Sequence, residues 1–263
     1  MTMLRLYLLL FRASVRSRMQ YKLNFLLSSG LAAFINLMEF LLIAIILQRF
    51  GDIKGWSLYE IGYLYSVLLL SRAIYRILAS DVHHIEKYLV GGELDQLLTR
   101  PIPVLLALMT QNVTILLGEV IQGTVLLVLC FQGLLAAGQI GWLAIPQTAL
   151  VILAGSVILF AIGLLSATAG FWLTRVRDLQ NITEDAARNA AQYPLVLYPG
   201  WLRMILLTLV PVGFANYVPA LYILRGEYGP WLLLVSTAAA VLLLWVSFRF
   251  WRLGLSRYQS AGS

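Results

Sequence analysis

Residues 91–101 read "GGELDQLLTRP". Two glycines, two carboxylates, an arginine and a proline lie between long apolar runs, in a chain of 263 residues that is 60% hydrophobic and 12% charged. Soluble domains carry roughly 25% charged residues, and the mean hydropathy here is +0.84. The apolar residues gather into runs of about 20 or more, the length that crosses a hydrocarbon layer about 30 Å thick. The quoted stretch therefore reads as polar punctuation outside the membrane between two spans. The chain reads as an all-α polytopic membrane protein, one domain over residues 1–263.

Working outward, residues 80–101 predict a compact polar knob. Asp81 is expected to cap a short helix whose face carries Val82, Ile85 and Leu89, with Gly91 and Gly92 ending it. A second short helix over 93–99 is expected to stop before Pro101, because the residue preceding a proline is pushed out of helical geometry. Toward the N-terminus, Leu4, Tyr7, Phe11 and Val15 recur at helical spacing beside a stripe of Arg5, Arg12 and Arg16. That pattern predicts an amphipathic helix lying in the membrane interface. The arginines that follow its apolar stretch, and the lack of a small-residue cleavage site, argue against a cleavable signal peptide.

Apolar runs predict spans at 23–47, 59–78, 103–135, 146–173 and 231–251. Ser28/Ala32, Ser29/Ala33, Gly163/Ala167 and Ser166/Gly170 are small pairs suited to close helix contact. Residues 175–199 are helical in propensity but too polar to face lipid. They either stay in the cytoplasm or cross with the polar face against protein or a watery path. In 199–224, Pro211 and Pro219 allow either a span or a re-entrant pair of short helices. Fifteen of the nineteen lysines and arginines fall on the side of the two termini. By the positive-inside rule both termini are cytoplasmic and the crossings are even in number, with six the natural count.

These residues carry a resemblance. "GELDQLLTRPI" is similar to the motif that follows the second membrane helix in bacterial ABC-2 family transporter permeases. The likeness extends to the amphipathic start, "FW" at Phe171 and Trp172, "YPLVLYPGWLR" at 193–203 and "VPVGFANYVPAL" at 210–221. The resemblance implies a connecting helix over 1–22, six transmembrane helices, and a coupling segment over 80–101 docked on a separate ATPase subunit. It further implies a fifth span near 178–197 and extracellular re-entrant helices over 199–224 before the sixth. On that basis Arg5, Arg12, Arg16, Asp81, Val82, Ile85, Glu86, Leu89, Asp95 and Arg100 are candidate ATPase contacts, and Pro199, Trp201, Pro211 and Pro219 a candidate extracellular gate. The implied setting is a bacterial inner membrane, with a second permease subunit, identical or related. Glu184, Asp185 and Arg188 depart from the pattern by making the fifth helix unusually polar.

No G-x-x-x-x-G-K-[ST] phosphate loop occurs, so ATP chemistry is expected on the partner, with MgATP bound there and no cofactor in this chain. Neither H-E-x-x-H nor G-x-S-x-G appears, which argues against a membrane protease. His83 and His84 diverge by about 100° on a helix and predict no metal site. The placement of the basic residues at the ends of apolar runs makes nucleic acid an unexpected partner. The single cysteine, Cys130, excludes an intrachain disulfide.

Charges inside the spans are costly and usually functional or paired. At 1.5 Å per residue, Arg72, Arg76 and Glu119 lie at similar depth, which predicts an Arg72 or Arg76 pair with Glu119 and leaves Glu39 over. Tyr63, Ser66 and Glu184 complete a candidate polar path with these residues. Trp56, Trp142, Trp201 and Trp231 fit interfacial belts. A self-contained secondary transporter or channel is the alternative, although such proteins often show paired broken helices in both halves.

Overall fold

In the computed structural model, residues 3–20, 22–50, 52–173 and 176–259 are described. Residues 1, 2 and 21 of the expected connecting helix, the charge of Arg175, and the side chains of Lys22 and Asp185 lie outside that description. Among the described residues there are twelve α-helices and no β-strand. In chain order they are α1 (Met3–Arg18), α2 (Lys22–Phe50), α3 (Leu58–Leu78), α4 (Ile85–Val90), α5 (Glu93–Leu98) and α6 (Val104–Gln111). Then follow α7 (Leu117–Ala136), α8 (Ala144–Ala169), α9 (Val176–Ala191), α10 (Gly200–Thr208), α11 (Tyr217–Arg225) and α12 (Trp231–Ser256).

Among the described residues five helices, α2, α3, α7, α8 and α12, are long and apolar enough to cross a membrane. A sixth exists only if α10 and the 212–225 segment, bent 75° from each other, count as one span. The central helices are α3 and α8, buried over 67% and 61% of their apolar windows against 22% for α2 and 28% for α7 and α12. Helix α8 packs against α12, α3 and α9, while α2 rests on α7 and α3. Where α7 crosses α2, a Cβ on Gly118 would stand 2.2 Å from the Ser29 carbonyl oxygen and 2.9 Å from Ala33. The Ser29/Ala33 pair thus lets two backbones meet, the close contact that small residues permit between membrane helices.

The expected single span over 103–135 is corrected. Helix α6 ends at Gln111, residues 112–116 are not helical, and α7 starts at Leu117. Hydropathy cannot see this break, because it is imposed from outside the segment. The Val113 amide donates to Ser14 Oγ at 2.9 Å and the Thr114 amide to Ser80 Oγ at 2.7 Å. Two hydroxyls from α1 and the knob thereby satisfy amides that would otherwise want an α-helical acceptor. Helix α6 accordingly packs with α1, α5 and the 3-10 turn Ser80–His84, as part of the knob rather than of a span.

The opposite end of the bundle is closed by the α2–α3 link. Ser57 caps α3 in a reciprocal capping box with Glu60, the arrangement that satisfies two orphan helix donors at once. Lys54 Nζ donates to the Val196 carbonyl at 3.1 Å, and Arg225 Nη2 donates to the Gly55 carbonyl at 2.5 Å. Trp56, expected at an interfacial belt, is instead fully buried, whereas Trp142, Trp201 and Trp231 are exposed.

Candidate functional site

Helix α9 carries Gln180, Glu184, Arg188 and, one residue past its end, Gln192. Four-residue spacing drifts only about 40° per step, so these polar groups form one stripe. Every member finds a partner on the neighbouring helices. Gln180 Nε2 donates to the Val82 carbonyl at 3.3 Å. Glu184 accepts from Tyr75 Oη at 3.1 Å and from Arg76 Nη1 at 3.5 Å, and its other oxygen lies 2.7 Å from His83 Nδ1. Arg188 Nη2 meets Glu39 Oε1 at 2.6 Å, and Gln192 Nε2 donates to Glu39 Oε2 at 3.2 Å. Tyr65 Oη completes the shell of Glu39 at 3.4 Å while also donating to the Asn36 carbonyl at 2.9 Å.

The line runs from the knob to the middle of α2. Between its members lies a cavity of about 60 Å³ bordered by Arg72, Arg76, His83, Glu184 and Arg188, polar enough and roomy enough for a few waters. Gly163 on α8 lets it close. A Cβ there would stand 2.9 Å from Tyr75 Oη and 3.3 Å from Glu184 Oε1.

Two expectations about charge are corrected here. Glu39, expected to be left over, pairs with Arg188. Arg76, one of the two arginines expected as partners of Glu119, pairs with Glu184 instead. Depth matching failed because it considered only charges on the assigned spans, and α9 supplied the partners. Glu119 is buried in α7 with Oε2 lacking a hydrogen-bond partner among the described residues. Arg72 borders the cavity and forms no ion pair among the described residues. Tyr63 and Ser66 are fully buried and do not border it. Tyr63 Oη bonds Thr148 Oγ1 on α8 at 2.9 Å, and Ser66 Oγ donates to the Tyr63 carbonyl of its own helix.

The knob is built as two short helices separated by Gly91 and Gly92. Gly92 has φ +69°, a left-handed conformation that glycine adopts without steric cost. Asp81, expected to cap a helix, caps none. It is buried, accepts from Tyr88 Oη and from Asn112 Nδ2 (2.5 Å), and lies 3.5 Å from His84 Nδ1. Burial raises its carboxyl pKa, but the hydrogen bonds from His84, Tyr88 and Asn112 outweigh burial and hold it below the ordinary value. One carboxylate thus ties the knob to the break between α6 and α7.

Val82 and Ile85 are completely buried in this chain's own core, so the apolar face of the knob points inward. Glu86 Oε2 accepts from the Arg177 amide at 2.5 Å, in the first turn of α9, where a negative charge also complements the helix dipole. Leu89 is half-buried against Gly170, and Asp95 is half-buried. Exposed on the knob are Lys87, Val90, Leu98 and Arg100, the last donating to Gln111 Oε1 at 3.1 Å. On α1, Arg5, Arg12 and Arg16 are exposed while Tyr7 Oη anchors the helix to the Leu78 carbonyl at 2.8 Å. Leu4, on the apolar stripe of this helix, is exposed.

At the far end, a cluster not singled out from sequence joins α3, α11 and the α7–α8 turn. Arg225 Nε bonds Glu60 Oε1 at 3.0 Å, Gln139 Nε2 donates to the same oxygen at 2.9 Å, and the guanidinium lies 4.1 Å from the Trp56 ring centroid. The S-x-x-E capping signature at 57–60 was its visible sign. Nearby, Pro199 precedes α10, Trp201 is exposed, Pro211 ends the helix break, and Pro219 sits in the first turn of α11, where a proline is tolerated. Among the described residues no group of three or more His, Cys, Asp or Glu could hold a metal ion.

A family model described as "ABC-2 family transporter protein" matches residues 33–262. No curated protein matches the chain.

Proposed function

The chain belongs to the ABC-2 transporter family, a multi-pass membrane permease of an ABC transporter, and from that premise we propose that it is the transmembrane half of an exporter driven by a separate ATPase subunit. In this reading MgATP binds the partner, and two permease chains, identical or related, enclose the path between them. Both termini face the cytoplasm of a bacterial cell, and the bilayer is the inner membrane. The basic residues gathered at the knob end support that orientation.

The observation that carries the proposal is the unbroken polar tie from the knob through α9 to Glu39. Glu86 and Val82 hold the first turns of α9, Glu184 binds His83 and Arg76, and Arg188 binds Glu39. A push on the knob reaches the middle of the bundle through rigid helices and discrete ion pairs, the kind of element that switches between two states. Helix α9 serves as the fifth crossing, its polar stripe turned to protein. Its start contacts the knob, and Val196, just beyond its end, contacts the far-end link. Helices α10 and α11 then dip in and return. Arg203, near the start, donates to the Val196 carbonyl, Arg225, at the end, bonds far-end groups, and Asn216 between them reaches Leu64, two turns into α3. Ile182 and Asn189 are exposed on the outer side of α9, and a polar group facing lipid is costly. A second permease chain would cover them.

The burial of Ile85 directs the test to other residues. The ATPase contact is expected on Val90, Leu98, Lys87 and Arg100, with Arg5, Arg12 and Arg16 alongside. Co-purification of the full chain with an adjacent-gene ATPase in nanodiscs, comparing wild type with Val90→Asp plus Leu98→Asp, checks this. Loss of the ATPase with an unchanged permease melting temperature is the expected result. A wild-type chain that binds no ATPase yet moves solute in sealed vesicles without ATP would make it a self-contained transporter.

A further inference from the structure

The knob end of α12 and the start of α6 form a groove of about 590 Å³ that the coupling scheme does not use. Its walls are Val104 and Leu105 on one side and Trp245, Phe248, Arg249 and Arg252 on the other. Arg249 and Arg252 lie three apart on α12, so they share a face. Neither makes an ion pair among the described residues, and the groove lining holds no carboxylate. The sequences of α6 and α12 contain no acidic residue at all. Helix α6 adds to the positive side, since Pro103 begins it without a side-chain cap and the amides of a first turn carry partial positive charge.

Depth narrows the occupant. Arg249 and Arg252 lie 18 and 21 residues past Trp231, the start of α12, or about 27 and 32 Å along the helix. That is the full thickness of a hydrocarbon core, so the two guanidinium groups sit at the level of the headgroups. Trp245, one turn shallower, is exposed and lies 5.2 Å from the Arg249 guanidinium by its ring centroid. An aromatic at the acyl level beneath paired arginines at the phosphate level is the chemistry of one ligand class. We infer that this groove is a binding site for an anionic phospholipid, its phosphate held by Arg249 and Arg252 and its acyl chain laid over Trp245 and Phe248. The site is a property of this chain alone and stands whether or not the ATPase partnership does.

The test is native mass spectrometry of the full chain in neutral detergent, titrated with phosphatidylglycerol or with phosphatidylcholine of the same acyl chains. With each arginine contributing about a fivefold preference at a membrane surface, wild type should favour phosphatidylglycerol by about twenty-five-fold. Arg249→Gln plus Arg252→Gln should abolish the preference, while Arg249→Lys plus Arg252→Lys keeps most of it. A photoreactive phosphatidylglycerol on the wild-type chain should label peptides from 103–105 or 245–255, a readout that needs no variant. An undiminished preference in the double glutamine variant, or labelling confined to other helices, would overturn the site. Displacement of the lipid by inorganic phosphate at equal concentration would make it a free-anion site instead. A shift from dimer to monomer in the glutamine variant would assign the groove to a second copy.

Discussion

Two seams of the bundle are held by opposite means. The seam of α8 with α12 is a fit of shapes. A Cβ on Gly254 would come within 2.6 Å of the Phe171 ring and 2.7 Å of Thr168, Phe171 packs edge-on against Trp251 at 5.4 Å, and Phe160 meets Phe248 at 6.3 Å. The seam of α9 with α2 and α3 is a row of charges and hydrogen bonds around a small polar cavity. In hydrocarbon, apolar helices gain little by touching each other instead of lipid, so only close fit holds the first seam. A fit of that kind has one arrangement. Ion pairs flanked by a polar cavity can exchange partners, which suits the α9 seam to movement and the α12 seam to anchorage.

The widest test of that contrast is Gly254→Ile. Overpacking at a site where two side chains already stand under 3 Å from the missing Cβ should cost about 3 kcal/mol. Yield of monodisperse protein should collapse, and normal yield would mean the α12 seam is as adaptable as the other. Next in size is Arg188→Leu, which leaves Glu39 without its cation. A buried pair broken from one side costs about 3–5 kcal/mol. Both partners here are roughly a quarter exposed, so about 2 kcal/mol is expected. Glu39→Leu combined with Arg188→Leu should restore the melting temperature, because two apolar groups satisfy the site as well as two charges. The double variant should nonetheless show slowed ATP-coupled transport. Full transport with restored stability would reduce the pair to a structural clasp.

Much of this contrast was legible in the sequence, and what was missed has physical causes. Spans α2, α3, α8 and α12 are continuous apolar runs, so length alone found them. The break at 112–116 was hidden because apolar residues continue through it and the hydroxyls that stabilise it come from Ser14 and Ser80, far away in sequence. The ion pairs were mispaired because depth was counted only along obvious spans. The stripe of Gln180, Glu184, Arg188 and Gln192 was nevertheless readable at four-residue spacing. Knob residues Val82 and Ile85 were correctly placed on one apolar face. Hydrophobic periodicity does not say whether such a face meets a partner or the protein's own core, and here it meets the core.

Smaller effects distinguish the two ends of the moving seam. Asp81→Asn keeps the shape but not the charge of the group that receives Tyr88 and Asn112, and should cost about 1 kcal/mol. Because the folded-state pKa of Asp81 lies below its ordinary value near 3.9, its contribution is complete above that value. It is lost as pH falls through the folded one. The melting-temperature gap between wild type and variant should therefore be constant from pH 5 to 7 and close below about pH 4. A gap that widens on acidification would mean the carboxyl is strained rather than stabilised.

The smallest effect is expected at the far end, where the contacts are firm but partly solvated. Arg225→Lys keeps the charge beside Glu60 while removing the planar fork and most of the stacking on Trp56. Roughly 0.5–1 kcal/mol should be lost, the scale of a partly exposed cation–π contact. The far-end cluster joins α3, α11 and the α7–α8 turn and, among the described residues, shares no hydrogen bond or ion pair with Glu39 or Arg188, so Arg225→Lys and Arg188→Leu should be additive in melting temperature. Non-additivity larger than about 0.5 kcal/mol would mean that the two ends of the bundle move as one, and that α11 belongs with α9 to the mobile part.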